Sequence, residues 1–99
     1  SMNDSKVKII VDANGLLCPL PVLRLRKALS SCSEGDVVKL LASDPAASID
    51  VPHYCIESGN IFIGDEVEKN FFDATLKDQE QKTLTAYYVA KRSKDTKSV

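Results

Sequence analysis

Residues 12–27 read DANGLLCPLPVLRLRK and set Cys18 between a turn and the start of an amphipathic run. A thiolate is the sulfur nucleophile, and a helix N-terminus favours negative charge. Pro19 and Pro21 remove two of the four amide donors that a helix start offers. Cys18 should therefore feel the helix dipole with few direct hydrogen bonds, and a modest lowering of its pKa is expected. Strong hydrogen bonding would also blunt a sulfur nucleophile, because nucleophilicity falls with thiol pKa. The two prolines stiffen the turn, and a residue before proline is biased to an extended backbone. Both effects hold the thiol out where a partner can reach it.

The residues after Cys18 describe a surface. At about 100° per residue, Leu20 and Leu23 point away from an apolar stripe centred on Leu25 and Leu29. Arg24, Arg26 and Lys27 lie around them. An apolar rim with basic neighbours reads as a docking face for an acidic partner. The plainer alternative is that single surface leucines are normal and have no role.

The other candidates read as structure. Cys32 ends the apolar stripe, where a free cysteine acts as a small hydrophobe. Cys55 is expected to be structural, with a resolving role toward Cys18 as the alternative. His53, Cys55 and Cys18 lack the paired spacing and fourth ligand of a structural zinc site. No phosphate loop, no Ser and His pairing and no Glu-His metalloprotease motif is present. Tyr87 and Tyr88 should alternate faces, one core and one surface, without the basic neighbours of a base-stacking platform.

These residues need a scaffold. Residues 6–12 (KVKIIVD) read as a strand, 13–17 as a turn with Gly15 at the flexible position, and 19–32 as a helix with its stripe at Val22, Leu25, Leu29 and Cys32. Gly35 precedes a second strand at 36–43. Pro52 should break a helix running from Pro45, so a short turn and a helix over 51–58 are expected. Gly59 ends it, and strands follow at 60–69 and 83–92. The link between them holds Phe71 and Phe72, expected to tuck against the body. Residues 65–80 hold six acids and two lysines (net −4), and residues 91–97 four bases and one acid (net +3). Both read as solvation, with 93–99 frayed. The order βαβαββ predicts an α/β (α+β) fold, a two-layer sandwich with two helices on one face of a four-stranded mixed sheet. Its first crossover should be right-handed, and its last two strands should form an antiparallel hairpin.

The 99 residues fit one domain over 1–99, with one modest core and no large closed cavity. A net charge of −1 argues against direct nucleic-acid binding. The longest apolar stretch, 16–23, holds two prolines and falls well short of the about 20 residues that cross a membrane. Nothing before Asn14 resembles a signal peptide, and Ser1 ahead of Met2 reads as a tag scar. Three cysteines make a disulfide framework improbable and fit a reducing cytoplasm.

Most of the chain, from Val7 to Arg92, resembles the TusA-like (SirA-like) sulfur carriers. Cys18-Pro19-Leu20-Pro21 is similar to that family's CPxP signature, with Asp12 and Gly15 ahead of it and Arg26-Lys27 in the place of a basic pair. Asp44-Pro45-Ala46 is similar to its DPA turn. The segment from Ile49 to Cys55 is similar to its D-I-P-x-aromatic-C segment, with Val51 in the Ile position. The resemblance implies a cytoplasmic sulfurtransferase without cofactor or metal, a monomer that meets partners transiently. Cys18 would accept sulfane sulfur as a persulfide from a cysteine desulfurase and pass it to an acceptor protein. The helix dipole should keep that persulfide ionised. Leu20 stands where the tRNA-thiolating member has an acid, the family's His-Glu after Gly59 is missing, and the last link is longer. These departures leave the acceptor open between tRNA thiolation, molybdenum-cofactor sulfuration, selenium handling and sulfur oxidation. Two other readings stand beside the carrier. One is a non-enzymatic interaction module docking through Leu20 and Leu23; the other is a thiol sensor pairing Cys18 with Cys55.

Overall fold

A computed structural model describes residues 4–72 and 81–92. The expected tag scar at Ser1, the frayed tail at 93–99 and most of the last link lie outside them. After a 3-10 turn at Asp4–Lys6, β1 (Val7–Ala13) leads to α1 (Leu20–Ser30), β2 (Val37–Ala42), α2 (Ala47–Ser58), β3 (Ile61–Phe72) and β4 (Gln81–Ala90). The sheet order is β1-β2-β4-β3. β1 and β2 are parallel, Val11 opposite Leu40, while β4 runs antiparallel to β2 and β3. The result is the expected mixed four-stranded sheet with two helices.

Parallel neighbours need a crossover, and α1 supplies it. α1 buries Leu25 and Leu29 against Val38, Leu40, Ala13 and Ala42 of the two strands it connects. β2 and β4 sit inside the sheet, so Val38, Leu40, Ala86 and Val89 are fully buried. β3 is an edge. Its register slips between Phe62 and Gly64 and again between Val67 and Lys69, and it carries Asp65, Glu66, Glu68 and Lys69. Irregular pairing and charge both discourage a second sheet from adding there.

Three expectations need correction. α2 starts at Ala47, four residues early, and runs through Pro52. An internal proline costs about 3 kcal/mol. Ala47, Val51 and Cys55 fall on one inward face and are all buried. Burial contributes about 1.5–3 kcal/mol for a side chain of Val size, so the continued helix wins. Gly59, at φ 84°, then closes the helix, its N–H donating to the Cys55 carbonyl at 2.9 Å. Secondly, β3 runs on to Phe72, paired with Gln81. Phe71 and Phe72 thus belong to the strand; Phe71 is half-buried and Phe72 is 69% exposed.

Thirdly, both tyrosines are buried. Tyr87 enters the core under the helices, and Tyr88 is covered on the opposite sheet face. Its cover is polar. The Lys39 ammonium lies 2.8 Å from Asp4 and 3.2 Å from Glu68, and 5.7 Å from the Tyr88 ring centroid. The Tyr88 hydroxyl is 3.1 Å from both Asp4 and Glu66. Asp4 above all, with Glu68, pushes the Lys39 pKa up despite burial of the amine. Two acids of the 65–80 run are therefore structural partners and not only solvation.

Burial pushes the Cys55 thiol up to about 11 and the Tyr88 phenol up to about 12. A folded thiol that keeps its proton while the unfolded thiol loses it costs stability as pH rises. Stability should therefore fall from pH 9 toward 11, the interval between the ordinary thiol value and that of Cys55. Denaturant titrations at stepped pH should give Cys55→Val a flatter decline over that interval than the parent protein; identical declines would contradict this assignment.

Candidate functional site

The site forms where the parallel strands β1 and β2 end. Asp12 accepts the Asn14 N–H at 3.0 Å, a local turn that lifts the chain off β1. Gly15 adopts φ 85° and donates its N–H to the Ser43 hydroxyl at 2.9 Å. An added Cβ there would meet nothing within 4 Å, so the left-handed backbone alone calls for glycine.

Asp44 ties the two loops together. Its carboxylate accepts the Cys18 N–H at 2.7 Å and the Ala46 N–H at 3.0 Å. Those two donors, Ala46 first, hold its carboxyl below the usual range. The Cys18–Pro19 peptide is cis, Pro19 is the N-cap of α1, and Pro21 is buried in the first turn.

The Cys18 thiol is exposed, as expected of a sulfur held out for partners. It donates to the Asp50 carboxylate, in the first turn of α2, at 2.8 Å. That bond reverses the expected pKa shift. The Cys18 thiol is pushed up, first by the hydrogen bond to Asp50, then by desolvation and by the charges of Asp50 and Asp44. Two nearby carboxylates outweigh a helix dipole that is worth about half a charge. They come from positions 26 and 32 residues along the chain, where local reading does not reach. Their signals were the Asp-Pro-Ala turn and the Asp-Val-Pro segment, present as motif fragments without a role.

A cavity of about 280 Å³ adjoins the thiol, lined by Cys18, Pro19, Val22, Asp50, His53, Tyr54 and Glu57. On the other side of α1, a groove of about 720 Å³ gathers Leu20, Leu23, Arg24 and Lys27 with Ile9 and Ala28. Leu20 and Leu23 are 46% and 47% exposed. Arg26 is exposed but does not line the groove. It follows Val22 by one turn and so belongs to the flank that carries the thiol.

The remaining thiols are not offered to partners. Cys55 is 3% exposed on the inward face of α2. Cys32, just past α1, is half-buried against the core with its sulfur 3.4 Å from the Ala28 carbonyl. Among the described residues, no three His, Cys, Asp or Glu side chains converge as a metal-ligand set.

An exposed cysteine at a strand-to-helix turn, on a mixed sheet covered by two helices, defines a small thiol protein of α+β class. The family model of sulfurtransferase TusA matches residues 9–77. The sulfur carrier protein TusA of Pseudomonas entomophila is 38% identical over 58 residues, covering 59% of this chain and 72% of the relative. That of Allochromatium vinosum is 36% identical over 67 residues, covering 68% and 88%. The crystal structure of a SirA-like protein from Desulfitobacterium hafniense superposes with a TM-score of 0.52 at 26% identity, covering 81% of this chain and 96% of that one. The chain belongs to the sulfurtransferase TusA family.

Proposed function

We propose that the protein carries sulfane sulfur as a persulfide on Cys18, taking it from a cysteine desulfurase and passing it to an acceptor protein. The observation that carries this reading is the contrast among the thiols: Cys18 is exposed beside a cavity, while Cys32 and Cys55 are turned into the fold. In loading, the Cys18 sulfur attacks the terminal sulfur of the donor persulfide. A new S–S bond forms, and the donor cysteine leaves with the electron pair of the old one. Unloading repeats the step with an acceptor thiolate as nucleophile. Neither step needs a metal or cofactor, and both need access more than enclosure.

Asp12, Gly15, Pro19 and Pro21 act by shaping the turn that presents Cys18. Leu20, Leu23, Arg24 and Lys27 supply the docking groove, with Arg26 on the thiol flank. The setting proposed is the cytoplasm, where free thiols persist. No helix among the described residues is long and apolar enough to cross a membrane. Nucleic acid is not a direct partner in this reading, and tRNA thiolation remains one of several destinations for the sulfur.

Loading is tested with a desulfurase, isotopically labelled cysteine and the full chain. Label should appear on the protein, disappear on reducing it, and move to an acceptor thiol in a chase. A chain that gains no reducible sulfur would end the proposal. Docking has its own test. Charge reversal at both Arg24 and Lys27 should slow association with the desulfurase about tenfold or more at low salt, and flatten its salt dependence. Unchanged association rates would remove the groove from the binding surface.

A further inference from the structure

Cys18 is at once accessible and chemically quiet. The residue is exposed, yet its thiol hydrogen-bonds to a carboxylate oxygen 2.8 Å away. Among the residues that line the cavity beside it, no Lys or Arg offsets that carboxylate, and Lys82 acts on Asp44 instead. From α2, the cavity beside the thiol is faced by Asp50, His53 and Glu57, and His53 lies 3.4 Å from Glu57. From α1, Pro19 and Val22 bring no charge, and Arg26, one turn beyond Val22 on the same flank, does not line the cavity. The turn before α2 brings Asp44, another acid.

We propose that Asp50 gates Cys18: its carboxylate keeps the thiol as S–H in the free protein, and the sulfur is released when a partner presses a positive charge against Asp50. The partner's sulfur-bearing segment is then a basic one, a cysteine flanked by Lys or Arg. This partner chemistry rests on the carrier reading; the gate itself does not. The arrangement makes docking bipartite, since the groove on the far side of α1 offers Arg24 and Lys27 and suits acids.

The step balances without an added reagent. Once the cation pairs with Asp50, the Cys18 proton passes to solvent. The thiolate attacks the terminal sulfur of the partner's persulfide, the new S–S bond forms, and the partner's thiolate departs with the electrons of the bond that breaks. Pairing of the cation with Asp50 returns the thiol toward ordinary basicity, and a thiolate of ordinary basicity is a strong nucleophile. The gate therefore suppresses stray oxidation and alkylation of an exposed thiol without weakening its attack.

Small thiol reagents of opposite charge test the gate on the full chain with no persulfide present. Cationic 2-aminoethyl methanethiosulfonate should modify Cys18 faster than the anionic 2-sulfonatoethyl reagent. Asp50→Asn should shrink that preference about tenfold, the size of one charge acting over a few ångströms at the protein surface. The same variant should react faster with neutral iodoacetamide at pH 7, and the midpoint of its pH profile should shift down. Asp50→Glu, which restores the charge, should recover the preference, and thermal midpoints would show that each variant folds. An unchanged reagent preference in Asp50→Asn, or a pH profile that does not move, overturns the gate while leaving sulfur loading by the parent protein intact. A parent protein that shows the preference but takes no sulfur overturns the carrier reading instead.

Discussion

Cys18→Ala is expected to abolish sulfur acceptance while leaving the fold and the docking of partners unchanged. The side chain is exposed, and among the described residues it hydrogen-bonds to Asp50, a carboxylate that solvent can satisfy once the thiol is gone. A substitution of this kind changes stability by no more than about 0.5 kcal/mol. The backbone N–H of residue 18 still reaches Asp44, so the loop keeps its anchor. Desulfurase binding, followed by calorimetry, should match the parent protein, and the labelled sulfur should be absent. A non-enzymatic module would behave differently. Its Cys18→Ala variant would retain every activity of the parent, because docking through Leu20 and Leu23 does not use the sulfur.

The second large effect separates two leucines on one helix. Leu25→Ala should cost about 3 kcal/mol, since a fully buried leucine loses both its transfer energy and the packing of the cavity left behind. For a domain of this size that lowers the melting midpoint by about 12–24 °C. Leu23→Ala, two residues earlier, should leave stability within about 0.5 kcal/mol and weaken docking instead, because its side chain is half exposed along the groove. Melting curves and partner affinities on the two variants check both halves. A comparable loss of stability in each would place Leu23 in the core and remove the docking surface.

The same contrast shows what the sequence carries and what it hides. Leu25 and Leu29 recur at helical spacing, and the continuous apolar run of residues 6–12 suits a strand covered on at least one face; the structure turns Ile9, Val11 and Ala13 inward. Periodicity is a local property, so α1, β1 and the exposed Leu20–Leu23 rim are legible from it. Pro52 misleads because proline's cost is local while the reward is tertiary: only the packed molecule shows Ala47, Val51 and Cys55 sharing one buried face. Tyr88 misleads for a similar reason. Alternation places it correctly on the face opposite Tyr87, but cannot foresee that Asp4, Lys39 and the β3 acids close over it. The site follows this rule. Cys18, Pro19 and Pro21 are adjacent in sequence and readable together. Asp44 and Asp50 reach the same sulfur only after the β1–α1–β2–α2 path brings two loops side by side, and they reverse the electrostatics inferred from the helix start. The persulfide expectation changes with it, because the carboxylate that holds the thiol's proton also opposes a second anionic sulfur beside it.

Peptide-level mapping of the trapped sulfur is the most direct measurement of all. The full chain is loaded by a desulfurase and cysteine, alkylated at once, digested and weighed. One extra sulfur should be found on the peptide that contains Cys18, with the Cys32 and Cys55 peptides unmodified. Extra sulfur on either of those two, or on no peptide, would contradict the assignment of Cys18 as the residue that carries it.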